Sequence, residues 1–475
     1  MEHDDTAVVT RRCFAMAAVA AAAAGTDSAG AVAAAPESLE ISRAREISSV
    51  KDFGAIGDGV ADDTAAIQAA VNASYRNFNR TVLIPNGIYK ITGTIEIGQG
   101  VMLRCQGSQG SNERFGTVFK HYSNQTCFLF NASGAPFAGT GGGLENCLIL
   151  KAAGFSGGSA IEIIAQSDRQ RPGEMLLTNI LAYGEGKSGR WAHGLHIDGT
   201  ACNEPGARGV RSVNCRKIRF SDVSTPHQTV LLNQVTHFYA HGLAIDPSAG
   251  AEGGLLLKGH NDGVYLNAFG CAGAVEIVAN DANNATHNLH IDGKIGGSFT
   301  NNDTEADGTL ELSSGGLANK SRLLKVIASR VPETAATRAA PDRNVTGDGT
   351  AYRVNFDAKS LDPLNNFAGN NFVCTVAGRY AFSVGIALQG IEPAHNRCEI
   401  SLIKSGAHKR TVLDLSHPSQ QATSGQLSRT LSCMLELAYG DSVQVTVKVS
   451  GGSRSVGVQG TPEADLSWFS AKYLA

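Results

Sequence analysis

The sequence predicts an all-β protein in two parts, a parallel β-helix followed by an antiparallel β-sandwich. Three observations lead to this prediction. Glycine supplies 55 of 475 residues and aromatic residues only 6%, which is typical of turn-rich β folds with few large core side chains. A short strand pattern recurs between residues 101 and 312. Longer alternating segments follow from about residue 350.

Composition and charge narrow the functional classes. The chain has 40 Lys and Arg against 43 Asp and Glu, a formal charge of −3. This balance argues against a general nucleic-acid binder, which usually has a basic excess. A hydrophobic content of 42% with 17% charged residues is that of a folded globular chain, and the length allows two or three domains.

Residues 1–35 are predicted to be an export segment. Arg11 and Arg12 precede the weakly apolar run Ala15–Ala24, in the manner of a twin-arginine signal, and small residues near 31–33 suggest a cleavage site. The run is too short to span a bilayer, which takes about 20 apolar residues. The alternative is a disordered Ala-rich tail. Residues 36–48 are expected to be a linker, and the protein is expected to be secreted, periplasmic or at the cell surface.

Nine cysteines remain after the predicted signal, and they include no Cys-x-x-Cys pair. This spacing excludes a zinc ribbon or a thioredoxin-type site, and the odd number makes a poor disulfide framework. We therefore expect most of them to be small buried hydrophobic residues.

The segment from residue 49 to 100 begins with a glycine-rich turn before a predicted helix. The helix is expected from about Asp62 to Ala73, capped by Asp62 or Asp63, with a buried face that includes Ile67. The turn superficially resembles a phosphate-binding loop. The acidic residues there would repel a phosphate, so capping is the better interpretation. The strands Thr81–Ile84, Ile88–Ile91 and Thr94–Ile97 should follow.

An internal repeat indicates the β-helix. Its strands alternate apolar and polar residues, end in turn-forming residues and start 34, 35, 25 and 20 residues apart. Each can pair only with the equivalent strand one repeat away, which stacks the repeats as coils around a narrow apolar core. The repeated strands are Ala160–Ile163, Gly194–Asp198, Thr229–Leu232, Gly254–Lys258 and Ala274–Ile277.

Residues 313–348 are polar and interrupted by Gly, Pro and Ala, which predicts a neck or linker. Residues 349–475 then show the longer alternation of an antiparallel sandwich. Its predicted strands are Tyr352–Phe356, Gly378–Ile386, Arg397–Ile403, Thr430–Leu437 and Ser442–Val449.

Two segments carry family resemblances. Val50–Ala70, with its Gly57-Asp58-Gly59 turn and Asp62-Asp63-Thr64, together with Val82–Tyr89, resembles the start of pectate-lyase-superfamily (pectin-lyase-like) β-helices. This group includes polysaccharide lyases, glycoside hydrolases and phage tailspikes. The resemblance covers roughly residues 49–312 and implies a right-handed β-helix, a capping helix and a carbohydrate substrate.

The C-terminal part is similar to C1q/TNF-type jelly rolls. That family is typically trimeric, as are β-helical tailspikes, so both resemblances imply a homotrimer. The residues that carry this similarity are Asn344–Thr350, Val354–Asp357, Ala377–Phe382, Gly440–Val443 and Phe469–Leu474.

No catalytic motif of the first family is present, so candidate site residues come from strand geometry. In Gly194–Asp198 the apolar Leu195 and Ile197 should point inward, which leaves His196 and Asp198 on the outer surface. Stacking places Glu162 one coil before them. Carboxylates on neighbouring coils suit the separations used by glycoside hydrolases, whereas a lyase needs a base such as His196. Glu162, His196 and Asp198 are the predicted catalytic residues.

Five further residues are predicted to bind substrate. Lys258 and Glu276 should continue the same column of outward residues, and Lys258 is an alternative lyase base. Arg190, Trp191 and His193 enter the strand of His196 and would give sugar rings a stacking platform. His193 and His196 should face opposite sides if one strand includes both.

A second group of polar residues comprises His237, His241 and Asp246, with Arg219 nearby. On a strand, His237 and His241 would be ~13 Å apart, too far to share one ion, so no metal site is predicted. The acidic loop at Asn301–Asp307 resembles a Ca²⁺ ligand set, but a solvated turn is the favoured interpretation, and no cofactor is expected.

These observations predict an exported, trimeric, polysaccharide-degrading enzyme, either a glycoside hydrolase or a polysaccharide lyase. The alternatives are a non-catalytic carbohydrate-binding adhesin or fibre, and a depolymerase like those of phage tailspikes. The expected partner is a polysaccharide, with neither nucleic acid nor a membrane span involved.

Overall fold

The computed structural model describes residues 48–474, apart from residues 76–79, 99, 108–115, 132–140, 169, 187, 203–209, 222–227, 247–252, 279–284, 314–315, 329–331, 369, 406–407 and 463. The predicted export segment, with Arg11, Arg12 and Ala15–Ala24, lies outside the described residues, as does all of the predicted linker before residue 48.

Two parallel sheets form the β-helix, and in each coil the chain passes from one sheet to the other. The nine strands of the short-strand sheet are Ile95–Ile97, Phe128–Asn131, Ser159–Ile164, His193–Asp198, Val230–Asn233, Leu255–Lys258, Val275–Ile277, Ser298–Asn301 and Gly316–Asn319. The fifteen strands of the long-strand sheet are Ser48–Ser49, Asp58–Asp62, Thr81–Ile84, Gly87–Ile91, Met102–Cys105, Thr117–His121, Gly142–Lys151, Gly173–Gly184, Val210–Ser221, Val235–Asp246, Asn261–Cys271, Thr286–His287, Leu289–Ile295, Gly308–Ser313 and Leu324–Ala328. The predicted repeat strands therefore do stack in parallel.

The strands of the long-strand sheet bend at left-handed residues. Asn146, Asn179 and Lys217 have φ values of 60°, 53° and 51° and lie at the same bend on three successive coils. Asparagine tolerates this conformation better than most residues, and the Asn179 side-chain amide donates to Asn146 Oδ1 at 3.0 Å. The bend turns the chain back towards the short-strand sheet and closes each coil.

Alternation fills the interior of the coils with apolar side chains. Leu195 and Ile197 of the short-strand sheet are fully buried, as are Val213 and Phe238 of the long-strand sheet. The nine cysteines after residue 100 are all free thiols; eight are buried and Cys433 is half-buried. They act here as small core residues, as predicted.

The helix at the N-terminal end runs from Thr64 to Ser74 and buries Ile67, Ala70, Val71 and Ser74. It begins two residues later than predicted because Asp62 ends a strand, where its carboxylate accepts from Thr64 N at 3.0 Å. A 3₁₀ helix, Val50–Phe53, precedes it.

Asp63 fixes the glycine-rich turn. Its carboxylate is 1% exposed and accepts the backbone N–H groups of Ile56 at 2.6 Å and Gly57 at 3.1 Å. The Asp63 side chain thus satisfies donors of the turn and makes no cap hydrogen bond to the helix that follows it. The capping contact at the start of the helix is that of the Asp62 carboxylate with Thr64 N.

The prediction that residues 313–348 form a linker is wrong for most of that segment. Gly316–Asn319 and Leu324–Ala328 pair in parallel with the preceding coil, and Leu317, Leu324 and Val326 are buried. The alternation of apolar and polar residues in these short strands could have predicted them, but the polar residues around them made the segment look like a linker. Asn319 N donates to Thr375 O at 2.8 Å, so the chain after residue 372 covers the end of the short-strand sheet.

Two antiparallel sheets follow the coils. One comprises Glu333–Thr337, Asp342–Thr346, Ala358–Leu361, Gly378–Gln389, Gln426–Leu437, Val456–Val458 and Trp468–Tyr473. The other comprises Ala351–Arg353, Phe367–Ala368, Asn371–Val373, Arg397–Lys404, His408–Ser416 and Ser442–Ser450, and Pro418–Gln420 is a 3₁₀ helix. Phe372 of the second sheet packs edge-to-face on Phe382 of the first, with ring centres 5.6 Å apart. Antiparallel sheets with a shared aromatic core are thus present, as the alternation predicted.

No helix within the described residues is long and apolar enough to cross a membrane.

We expect Asp63→Ala to lower the free energy of unfolding by about 3 kcal/mol, because two buried backbone N–H groups lose a charged acceptor. Urea denaturation followed by circular dichroism measures this loss. Asp58→Ala is the matched control, since Asp58 caps the exposed amides of Val60 and Ala61 and should cost less. Equal losses in the two variants would contradict the role given to Asp63.

Candidate active site on the short-strand sheet

Glu162 and His196 lie side by side on neighbouring coils. Their strands pair in register, with Glu162 opposite His196 and Ile161 opposite Leu195. Leu195 and Ile197 are fully buried, so strand alternation places His196 on the outer surface. The sequence therefore predicted both the inward and the outward residues of this pair of strands.

The two side chains form a hydrogen-bonded pair. His196 Nδ1 donates to Glu162 Oε1 at 2.8 Å, and Thr126 Oγ1 donates to Glu162 Oε2 at 2.7 Å. Both side chains of the pair are 18% exposed. Burial alone would raise the pKa of the Glu162 carboxyl, but the hydrogen bonds from His196 and Thr126 and the positive charge of nearby imidazoles outweigh it and lower the pKa. Glu162 is thus held as a carboxylate that orients the His196 ring.

His193 lies beside this pair, contrary to the prediction that it would face away from His196. The two rings are 5.1 Å apart, and His193 Nδ1 hydrogen-bonds the backbone oxygen of Gln228. Gly194 N and Leu195 N both donate to Thr229 O, so the strand is irregular between residues 193 and 195. This local irregularity breaks the alternation on which the prediction depended.

The other predicted residues divide into two columns rather than one. Asp198 is opposite Asn233, which is opposite Lys258, so Asp198 and Lys258 are two coils or about 10 Å apart. Glu276 does continue the column of His196, but Leu231 and Leu256 lie between them. Lys258 and Glu276 are therefore more than one coil away from the pair.

Trp191 cannot be a stacking platform for sugars, because its side chain is fully buried. Its ring stacks on His121 with centres 5.5 Å apart, Lys151 Nζ lies 4.3 Å from the ring centre, and its Nε1 donates to Tyr183 O. Arg190 is half-buried at the edge of the same turn. Trp191 precedes the regular part of the strand, where alternation does not determine the direction of a side chain.

The second polar group lies on the long-strand sheet, away from Glu162 and His196. Arg219 Nη2 pairs with Asp246 Oδ2 at 2.6 Å, and His237 and His241 are exposed. No group of three His, Cys, Asp or Glu side chains suited to a metal ion occurs in the part of the chain that the structure describes.

Two carboxylates of the acidic loop Asn301–Asp307 bind other groups of the protein. Asp303 is 1% exposed and accepts from Thr286 N at 2.8 Å and Glu305 N at 3.0 Å. Asp307 pairs with His287 at 3.0 Å. The loop is thus bound into the fold rather than solvated.

Thr126 and Gln228 were not predicted. Both lie in turns that precede short strands, and neither stands in a motif. Only the stacking of the coils brings them to Glu162 and His193.

The match to a known protein family lies at the N-terminal end of the described residues. Residues 47–135 match the family described as rhamnogalacturonase A/epimerase, pectate lyase-like. Mannuronan C5-epimerase AlgE5 of Azotobacter vinelandii is 55% identical over 53 residues, which are 11% of this chain and 5% of that protein. Alginate lyase 7 of the same organism is 48% identical over 54 residues, or 11% and 6%. These findings support a pectate-lyase-like β-helix.

The matches are short relative to the relatives themselves. The chain spans about a twentieth of the length of these curated proteins, and Glu162 and His196 lie beyond the matched residues 47–135. The family match therefore concerns the first coils and their cap.

Two solved structures match this chain weakly. The Geobacillus virus E2 protein ORF18 has a TM-score of 0.32 and 17% identity over 64% of this chain and 63% of its own. The surface adhesin PfbA of Streptococcus pneumoniae has a TM-score of 0.28 and 14% identity over 60% of this chain and 91% of its own. Scores this low carry no argument about function.

Lys151 gives the fold a predictable pH dependence. Burial lowers the pKa of Lys151 to about 8 from its ordinary value of 10.5, so between these pH values the unfolded chain binds more protons than the folded one. Lys151 should therefore contribute stability that rises with pH across this window, by up to about 3 kcal/mol. Burial raises the pKa of cysteine thiols such as Cys271, which acts in the opposite direction, so the contribution of Lys151 is the difference in stability between the native protein and Lys151→Met, and this difference should increase with pH.

Denaturation midpoints measured from pH 7.5 to 10.5 check this expectation. Lys448→Met, on the sandwich, serves as the control and should keep the pH profile of the native protein. Parallel profiles for the native protein and Lys151→Met would contradict it.

Proposed function

We propose that this protein is a polysaccharide-modifying enzyme that removes a proton from C5 of a uronate residue, as a lyase or an epimerase, with His196 as the base. The single observation that carries the proposal is the hydrogen bond from His196 Nδ1 to Glu162, which holds the imidazole on the outer surface of the β-helix. The carbohydrate class is supported by the similarity to mannuronan epimerases and an alginate lyase.

The geometry favours proton abstraction over glycoside hydrolysis. A hydrolase needs a carboxyl group that is protonated at working pH to act as general acid. Both oxygens of Glu162 accept hydrogen bonds, and the pKa of its carboxyl is lowered, so it is a poor proton donor. An imidazole whose Nδ1 is bound to a carboxylate is instead a suitable general base through Nε2.

His196 Nε2 accepts the C5 proton of the uronate, and the electron pair of the broken C–H bond passes into the C6 carboxylate as an enolate. In a lyase the electron pair then forms the C4–C5 double bond, the C4–O4 bond breaks, and the His196 imidazolium returns its proton to the O4 leaving group. In an epimerase the electron pair re-forms a C–H bond at C5 with a proton donated by water on the opposite face, and the imidazolium later loses its proton to solvent. The imidazolium that forms is stabilised by Glu162.

The remaining predicted residues are proposed to bind substrate. His193 lies beside the base, where positive charge would stabilise the enolate. Arg190 and Asp198 lie before and after His196 in the chain. Lys258 and Glu276 lie two and three coils further along the sheet, where they would contact other units of the polymer. We further propose that the protein is exported by the twin-arginine route and that its sandwich is a C1q/TNF-like jelly roll that clamps a homotrimer.

His196→Ala should lower turnover of a polyuronate by at least 10²-fold, since a positioned base contributes 10²- to 10⁴-fold. Glu162→Gln should lower it by less, because the base is kept and only its orientation and charge are lost. The assay incubates purified protein with alginate and polygalacturonate and follows unsaturated-uronate absorbance, reducing ends and the C5 configuration by NMR.

Each readout separates one alternative. Reducing ends without the unsaturated chromophore indicate a hydrolase, and a changed C5 configuration with intact chains indicates an epimerase. Leu231→Ala, an outward change one coil beyond His196, is the matched control and should retain turnover. Binding of a polysaccharide without any turnover would contradict the proposed enzyme and favour a non-catalytic adhesin.

The proposed trimer has a direct test. Sedimentation equilibrium of the purified protein should give a mass three times the 49.5 kDa of one chain. A mass equal to one chain would overturn it. A chain that ends before residue 332 lacks the sandwich and should sediment as a monomer if the sandwich holds the trimer together.

A further inference from the structure

The strand Val210–Ser221 of the long-strand sheet carries exposed positive charges that no described carboxylate neutralises. Arg216 and Lys217 are exposed, and among the residues that the structure describes no carboxylate pairs with either. In the same column two coils earlier, Glu145 already pairs with Arg104 at 2.6 Å. Arg219 is bound to Asp246. Arg216 and Lys217 are thus available to an external anion.

Exposed hydrogen-bonding and aromatic side chains continue from these cations onto the next two coils. Arg216 is opposite His241, which is opposite Asn267, and all three are exposed. In the neighbouring column Tyr239 is opposite Tyr265. We call Arg216, Lys217, Tyr239, His241, Tyr265 and Asn267 the outer strip.

The aromatic rings form a rigid ladder. Tyr239 and Tyr265 stack with ring centres 5.1 Å apart and planes 9° apart, and His237 stacks on Tyr239 at 6.2 Å. Their flat faces therefore contact one another, and Tyr239, which is 40% exposed, offers mainly its edge and hydroxyl to solvent. Nucleic-acid bases bind through free aromatic faces, so this ladder suits hydrogen bonding to hydroxylated ligands better.

The spacing of the strip suits a linear polymer. Successive coils repeat every ~4.8 Å, which is close to the length of one pyranose unit in an extended chain. A polymer that runs along the β-helix axis would meet cations on one coil and hydroxyl, imidazole and amide groups on the next two. Carboxylates recognised by Arg and Lys, and hydroxyls recognised by Tyr, His and Asn, together describe an acidic polysaccharide.

We propose that the outer strip is a second, non-catalytic binding site for an acidic polysaccharide, on a different sheet from Glu162 and His196. The inference rests on the proposed function for its substrate class, since the reaction needs a uronate. Binding here would hold the polymer on the enzyme between turnovers, while the Glu162–His196 site acts on another segment.

The preceding coil supplies the test variant. Thr178 and Asn179 occupy the positions of Arg216 and Lys217, and Asn179 has the same left-handed backbone as Lys217. Arg216→Thr with Lys217→Asn therefore removes both charges and keeps residues that this fold already accepts there. Arg343→Ser with Arg454→Ser removes two exposed charges from the sandwich and is the matched control.

Affinity electrophoresis of the full chain in gels containing alginate measures binding, with dextran as the neutral polymer. The His196→Ala background prevents turnover during the run. We expect the Arg216→Thr/Lys217→Asn variant to bind alginate about three- to tenfold more weakly than its parent at low salt, since two exposed ion pairs are lost. The difference should shrink as salt rises. Tyr239→Leu, which copies Leu176 at the same position two coils earlier, should also weaken binding.

The outcomes separate this inference from the proposed function. Unchanged alginate binding in the double variant, an equal loss in the sandwich control, or equal binding to dextran would each overturn the second site, whether or not the protein turns over polyuronate. Weaker binding in the double variant alone would support the site even if no turnover is found.

Discussion

The coil-to-coil hydrogen bonding of the parallel strands is the constraint on which the rest of the structure depends. A solitary short strand cannot bury its apolar face, but strands stacked in register bury a continuous core of residues such as Leu195, Ile197 and Val213. The same register decides which outward residues become neighbours. Glu162 meets His196, and Arg216 meets His241, because their inward neighbours are aligned in the core. Chemistry on the surface is thus a consequence of packing inside.

The two ends of such a stack must be covered by other parts of the chain, because an open terminal coil exposes unpaired backbone groups and apolar core residues. At the N-terminal end the helix Thr64–Ser74 packs over the first coils, and buried Asp63 satisfies the amides of the adjoining turn. At the other end Asn319 hydrogen-bonds the backbone at Thr375 and Ala377. The acidic motif near residue 60 and the chain after residue 372 therefore act as caps.

The protein divides its polar chemistry between two surfaces. On the short-strand sheet Glu162 and His196 are partly buried and bound to each other, an arrangement that suits proton transfer. On the long-strand sheet Arg216 and Lys217 are exposed and unpaired by described carboxylates, which suits the holding of a charged polymer. The two proposals are compatible with one ligand, because a uronate polymer has both an acidic C5 proton and a regular series of carboxylates.

The sequence by itself determined the all-β fold, the N-terminal cap, the parallel repeats and the inward or outward position of residues in the regular parts of the strands, because these depend on alternation and turn chemistry within short segments. It also placed Glu162 beside His196, since the two strands align by their apolar residues. Tertiary structure alone decided that Trp191 is buried and that His193 lies beside His196. The repeats differ in length and their turns are irregular, so column membership and side-chain direction outside the regular strands depend on packing between coils, which no local pattern records.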